Sequence, residues 1–259
     1  MSEKKPALWL RIYTFLVYAY IYIPILILVI FSFNTQKLNI RWEGFTLAWY
    51  DKLFHDSQVL LATRNTLLVA SFSTLVATII GTMAALALQR YRFPGYNLSE
   101  TVLYIPVVIP EVVMGISLLA FFAMIKFPLG LTTITLSHIA FNIPFVALVV
   151  RARLHGFDKS IEEASMDLGA NEMVTFWRVT LPTIMPGVLS GAMLAFTLSL
   201  DDYVITYFTA GPGSTTLPLR IFSMVRFAVT PEVNALSTIW VLIIFVLLFI
   251  GEYARRRRA

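Results

Sequence analysis

The chain has 259 residues, 58% of them hydrophobic and only 14% charged, with a formal net charge of +5. Soluble domains carry about 25% charged residues, so this balance excludes an ordinary water-soluble core. With no cysteine, disulfides and thiolate metal sites are excluded as well, and the histidines at 55, 138 and 155 are too scattered for a ligand cluster.

A bilayer hydrocarbon core of about 30 Å needs about 20 apolar residues in a helix. Six segments meet this requirement: 12–33, 66–89, 100–125, 131–152, 181–207 and 235–253. The first follows Lys4, Lys5 and Arg11. It is too long for a signal-peptide core and lacks a small-residue cleavage site, so it reads as an uncleaved signal anchor. The loop 34–64 contains "FTLAWYDKLF", where Thr46 can cap a short helix. Leu47, Tyr50, Leu53 and Phe54 recur at helical spacing, and Trp49 and Tyr50 suit the headgroup zone. A short helix on the outer membrane surface is expected.

The second span carries Ala77, Gly81 and Ala85 at four-residue steps, which lets another helix of the same chain approach closely. In the third, "YIPVVIPEVVMG" sets Pro106 and Pro110 one turn apart, and each removes a backbone donor. A broken span is expected there, with Glu111 beside the break. Pro24 and Pro144 should bend spans one and four in the same way. His138 and Asn142, one turn apart on span four, read as interhelical hydrogen-bond partners rather than ligands. The loop "AGPGSTTLP" at 210–218 reads as an outer turn, since it lacks the lysine of a phosphate loop. The tail Arg255-Arg256-Arg257-Arg258 directly follows an apolar run and reads as a membrane-side anchor. With both termini in the cytoplasm, most of the 20 Lys and Arg fall inside, as the orientation rule requires.

The cytoplasmic loop 153–180 is then the chain's polar module, and "SIEEASMDLGANEMVTFWRVTLPTIMP" (160–186) carries it. Ser160 and Glu163 fit a capping box, Gly169 fits a left-handed stop, and Asn171 can cap a second helix to about Thr180. Leu181 precedes Pro182, which disfavours helix there. Ile161, Ala164, Ser165 and Leu168 share one face. Asp158, Glu162, Glu163, Asp167 and Glu172 against Lys159 make the segment acidic, so anionic lipid would repel it. A helix this short is marginal alone. Both points indicate a segment held by protein and partly presented to a soluble partner.

Glu163-Ala164-Ser165, Gly169 and then Val179-Thr180-Leu181-Pro182 resemble the EAA motif of permease subunits of bacterial ABC importers. Ser165 for the second alanine and Val179 for isoleucine are mild departures. The stretches "GFTLAWYDKL", "NTLLVASFSTLVATIIGTMAALAL", "LSLDDYVITYFTAGP" and "LPLRIFSMVRFAVTPEVNALST" extend the resemblance over nearly the whole chain, to permeases of spermidine/putrescine importers. The resemblance implies one all-α membrane domain over 1–259, with six transmembrane helices in the type I ABC importer permease (MetI-like) fold. In it, Glu163, Ala164, Ser165, Leu168 and Gly169 would form a coupling helix docked on an ATP-binding subunit. It also implies a second permease subunit as heterodimer partner, two ATP-binding subunits that hold the ATP and Mg, and a periplasmic substrate-binding protein. The chain itself would carry no cofactor and no catalytic residue, and would lie in the bacterial inner membrane.

Acids within a span cost about 2.5–3.5 kcal/mol on insertion scales and default to functional candidates. Here they are Glu111, Asp201 and Asp202, followed by Tyr203, Tyr207 and Phe208. Carboxylates and aromatic faces suit a polycation and serve sulfate or phosphonate poorly. Adjacent helical residues point about 100° apart, so Asp201 and Asp202 cannot share one cavity on a regular helix. Glu111, Asp201, Asp202 and Tyr203 are therefore the candidate pathway residues. The alternatives are another substrate of the same family (iron, thiamine, sulfate or phosphonate), a proton-coupled secondary transporter, and a membrane scaffold.

Overall fold

The computed structural model describes residues 8–37 and 40–256. Lys4, Lys5, Arg257 and Arg258, used above for orientation, lie outside the described residues. In chain order the helices are α1 (Leu8–Phe31), α2 (Ala48–His55), α3 (Ser57–Arg90), α4 (Tyr96–Val108), α5 (Glu111–Met124), α6 (Leu131–Leu154), α7 (Ser160–Asp167) and α8 (Glu172–Thr175). A π-helical turn (Phe176–Thr180) leads into α9 (Leu181–Asp201), followed by α10 (Val204–Thr209), α11 (Leu217–Phe227) and α12 (Pro231–Arg256). The described residues contain no strand, only the isolated bridge Asn34–Phe45.

Leu8–Phe31, Ser57–Arg90, Leu131–Leu154 and the continuous stretch Glu172–Asp201 are each long and apolar enough to cross a membrane. Tyr96–Val108 and Glu111–Met124 make a fifth as a pair bent by 111°. The expected sixth span falls on α12, whose described apolar part, Pro231–Val246, is shorter.

The break in the third span occurs at Ile109–Pro110 alone. Both residues are extended, with ψ 133° and 135°, whereas Pro106 stays inside α4. Pro24 and Pro144 likewise sit within unbroken helices, so neither interrupts its span as Pro110 does. One missing donor is tolerated where the rest of the ladder continues on both sides.

Several boundaries differ from the sequence reading. α3 begins at Ser57, ahead of the expected 66. The fifth span ends at Asp201, and α10 follows a break rather than continuing it. α11 was not expected at all. Helix persists through Leu181-Pro182, where it was expected to stop. The preceding turn explains this: Leu181 N–H bonds to the carbonyl of Phe176, five residues back. That widened turn shifts the ladder, and Pro182 then occupies the first turn of α9, where no donor is needed.

The chain forms two compact units, one of residues up to Ser57 with Ile221–Ile243, the other of Gln58–Arg220 with Ile244 onward. In the first, Trp49 Nε1 donates to the Asn34 carbonyl at 2.8 Å and the Tyr50 hydroxyl lies 2.6 Å from Ser32 Oγ. The N-cap of α2 is Leu47, not Thr46. The Thr46 hydroxyl still serves the helix start, accepting from Ala48 N–H at 3.1 Å.

In the second unit, α3, α6 and α9 share a core of Ala85, Val146, Ala147, Val150, Leu154, Ile184 and Ala195. Lipid tails are as apolar as leucine, so close packing rather than transfer from water holds such helices together. Ala77 and Ala85 are fully buried, and a Cβ on Gly81 would meet the Ile143 carbonyl and Val146 Cβ at 2.8 Å. The small-residue stripe of α3 is thus an intra-chain seam against α6. α9 repeats the device, with Gly187 against Arg153 and Gly191 against Val146. The glycine-rich loop forms a turn: Ser214 N–H bonds to the Gly211 carbonyl, Gly213 has φ 76°, and Asn65 of α3 donates to the Gly213 and Thr215 carbonyls.

Candidate coupling surface and translocation site

α7 follows from its flanks. Its N-cap is Lys159, and no Ser160–Glu163 capping box forms. Ser160 is already the first helical residue, so its hydroxyl is not placed to cap. Asp158 takes over, its carboxylate accepting from Ser160 N–H at 2.9 Å. That backbone hydrogen bond holds the Asp158 carboxyl below its usual range. At the other end Gly169 adopts φ 91°, and Gly169 and Ala170 N–H groups return to the Met166 and Ser165 carbonyls. Asn171 caps α8 as expected, accepting from Val174 N–H at 2.9 Å.

Glu162 fastens α7 to the spans. Its carboxylate pairs with Arg90 at the end of α3 and accepts from the Thr180 hydroxyl in the π-turn. Ser165 Oγ lies 3.2 Å from Thr175 Oγ1 of α8. The expected shared face therefore divides: Ser165 turns toward α8, while Ile161, Glu163 and Ala164 are exposed and Leu168 is 91% exposed. The sequence reading counted Glu162 only among the acids. Its partner, Arg90, was not legible, since Arg92 stands two residues on and nothing in sequence spacing joins residues 72 apart.

The second site is built where two helices break. Pro110 ends the extended link and Glu111 opens α5, with its side chain exposed. α5 packs on α10, and Gly115 makes room for the Phe208 ring. α9 ends at Asp201, which is exposed. Asp202 is extended (φ −62°, ψ 119°) and starts α10 by accepting from Ile205 and Thr206 N–H at 3.3 and 2.8 Å. Its Oδ2 also takes the Thr206 hydroxyl at 2.8 Å and His138 Nε2 at 3.1 Å, and its side chain is only 5% exposed. His138 Nδ1 lies 2.6 Å from Ser199 Oγ, which lies 3.2 Å from Ser73 Oγ. His138 is thus an interhelical hydrogen-bonding residue. Asn142 is buried, and its amide has no hydrogen-bond partner among the described residues.

The structure places Glu111 and Asp201 each at a helix break and gives the two adjacent aspartates different surroundings, Asp201 exposed and Asp202 enclosed. The Tyr203 and Tyr207 rings lie 5.7 Å apart and tilted by 40°, and Tyr207 meets Phe208 edge-on at 5.3 Å. The arrangement offers carboxylates and aromatic faces together. No group of His, Asp and Glu able to hold a metal occurs among the described residues.

The chain as a whole is similar to known proteins. Residues 77–258 match the family described as binding-protein-dependent transport system inner membrane component. The chain is 42% identical to the spermidine/putrescine transport system permease protein PotC of Haemophilus influenzae, over 95% of each chain. It is 43% identical to the putrescine transport system permease protein PotI of Escherichia coli K12, over 88% of this chain and 84% of that one. Among solved structures it superimposes on a bacterial ABC transporter involved in the import of the acidic polysaccharide alginate, with TM-score 0.76, 17% identity, and 96% and 95% of the two chains covered. The MetNI methionine ABC transporter aligns with TM-score 0.65 at 16% identity, over 83% of this chain and 99% of that one. At such identities these structures establish the fold alone, an all-α membrane fold shared with those transporters. The chain belongs to the family of binding-protein-dependent transport system inner membrane components.

Proposed function

We propose that the chain is a translocation subunit of an ATP-driven importer of polyamines, spermidine and putrescine, in a bacterial inner membrane. It acts without chemistry of its own: ATP and Mg belong to two partner ATP-binding subunits. A second permease subunit completes the channel, and a periplasmic binding protein delivers substrate. In this reading the chain crosses the membrane six times with both ends in the cytoplasm.

The observation that carries the reading is the 42% identity spread over 95% of both chains. The chemistry agrees with it. Glu111 and Asp201 are exposed carboxylates beside the Tyr203–Tyr207–Phe208 aromatics, and a polycation needs such groups to replace its water.

The coupling route follows from the contacts. Closure of the ATP-binding pair presses on Glu163, Ala164, Ser165, Leu168 and Gly169. Glu162 carries that push to Arg90 of α3 and Thr180 of the π-turn. From there Glu172–Asp201 is one continuous helical stretch of 30 residues, about 45 Å at 1.5 Å per residue. A movement at the cytoplasmic loop therefore reaches Asp201 along a single rod.

Uptake of radiolabelled spermidine into vesicles holding the whole complex tests the proposal. Putrescine should compete, iron chelate and thiamine should not, and uptake should stop when the ATP-binding subunits are omitted. Competition by thiamine or iron chelate in place of putrescine would assign another substrate. Uptake persisting without the ATP-binding subunits would establish a secondary transporter.

A further inference from the structure

We propose that His138 is a positioning residue that withholds Asp202 from the substrate, so that of the two adjacent aspartates only Asp201 meets the translocated cation. The inference rests on the polyamine reading for its substrate, and on the hydrogen-bond network alone for its geometry.

An ionised carboxylate is an acceptor with about four lone-pair sites. Asp202 receives the backbone N–H groups of Ile205 and Thr206, the Thr206 hydroxyl and His138 Nε2. Nε2 lies 3.1 Å from Asp202 Oδ2 and 3.0 Å from Thr206 Oγ1, whose hydroxyl donates to Asp202, so an Nε2–H serves the carboxylate both directly and through Thr206; Nδ1 is then the acceptor for the Ser199 hydroxyl at 2.6 Å. Ser199 in turn meets Ser73, so α3, α6, α9 and α10 are tied at one level. An ammonium group would have to displace fixed donors from a side chain that is 5% exposed. Asp201, the last residue of α9, is exposed by contrast. The pair of aspartates thus divides labour. Asp202 spends its charge on starting α10, which fixes the direction of the break. Asp201 stays exposed at the edge of that break.

Two measurements on the whole complex in proteoliposomes test this. The first is carbodiimide labelling of carboxylates, read by fragment mass spectrometry. Asp201 and Glu111 should label in the wild type, and Asp202 should label only after His138→Leu. Labelling of Asp202 in the wild type overturns the proposal, whatever the substrate. The second is the initial rate of spermidine uptake. Asp201→Asn should raise KM about tenfold, the scale of one hydrogen bond to a charged group. Asp202→Asn and His138→Leu should lower turnover by a similar factor of about ten and leave KM unchanged. His138→Gln, which keeps an N–H donor, should recover most of the turnover. A KM rise in Asp202→Asn matching that of Asp201→Asn overturns the proposal, as does a His138→Gln no better than His138→Leu. A wild-type complex that takes up no spermidine refutes the polyamine reading instead, and the labelling pattern still decides the role of His138.

Discussion

Glu162→Ala should detach the coupling helix without unfolding the protein. The carboxylate holds two partners, Arg90 and Thr180, and both ends are shielded: the Glu162 side chain is 14% exposed, Arg90 26%, and Thr180 is buried. A fully buried pair broken on one side costs about 3–5 kcal/mol, and an exposed pair contributes about 0–1. Partial burial puts this pair between the two. Thr180 would also lose its acceptor in a buried position, at a cost of about 1–3 kcal/mol. A net loss of about 2 kcal/mol follows, which raises the population of a locally detached α7 about thirtyfold. Hydrogen–deuterium exchange on the complex in nanodiscs reads this directly. Amides of Leu168, Gly169 and the α7 core should exchange about thirtyfold faster, while those of α6 keep their protection. Glu163→Ala, at an exposed position, should leave α7 protection unchanged and still weaken binding of the ATP-binding subunits. Unaltered α7 exchange in Glu162→Ala would refute the assignment of Glu162 as the anchor.

Gly169→Val forces a branched side chain into φ 91°, a strain of about 1–2 kcal/mol or more for an L-residue. Co-purification of the ATP-binding subunits and stimulated ATP hydrolysis should both drop, and normal values for both would argue against a required left-handed stop. Gly81→Ala puts a methyl 2.8 Å from the Ile143 carbonyl, a backbone atom that cannot rotate away. A loss of about 1–3 kcal/mol is expected, seen as a lower melting temperature in detergent, whereas an unchanged melt would mean that α3 and α6 separate freely. Glu111→Gln should reduce spermidine uptake with complex assembly intact, and undiminished uptake would assign that acid a structural role.

Local signals made much of this molecule legible. The proline pair announced the broken third span, although only Pro110, with an extended residue before it, breaks the helix and Pro106 stays inside α4. Ala77, Gly81 and Ala85 announced a close helix contact, and Gly169 and Asn171 announced a stop and a start. What escaped depends on contacts far along the chain. The capping box failed because Asp158 reaches Ser160 first, a competition that residue spacing alone does not rank. The helix stop at Pro182 failed because a π-turn absorbed the missing donor. Asp201 and Asp202 were recognised as unable to share a cavity, yet their separate roles emerged only when His138, 64 residues away from Asp202, was seen beside it.

The widened turn at Phe176–Thr180 has a consequence for how this chain can vary. An α-helix rotates about 100° with each residue, and a π-turn is a place where one residue more than a regular helix needs has been accommodated. Because the wider turn absorbs its extra residue locally, removing a single residue there would leave a regular α-helix with the faces of α9 close to their present direction. Gly187 and Gly191 would keep their seams on α6. Removing a residue from within α9 would instead swing everything beyond it by about 100°, and Asp201 would point elsewhere. A change of length is absorbed at the widened turn and not along the rod that follows it.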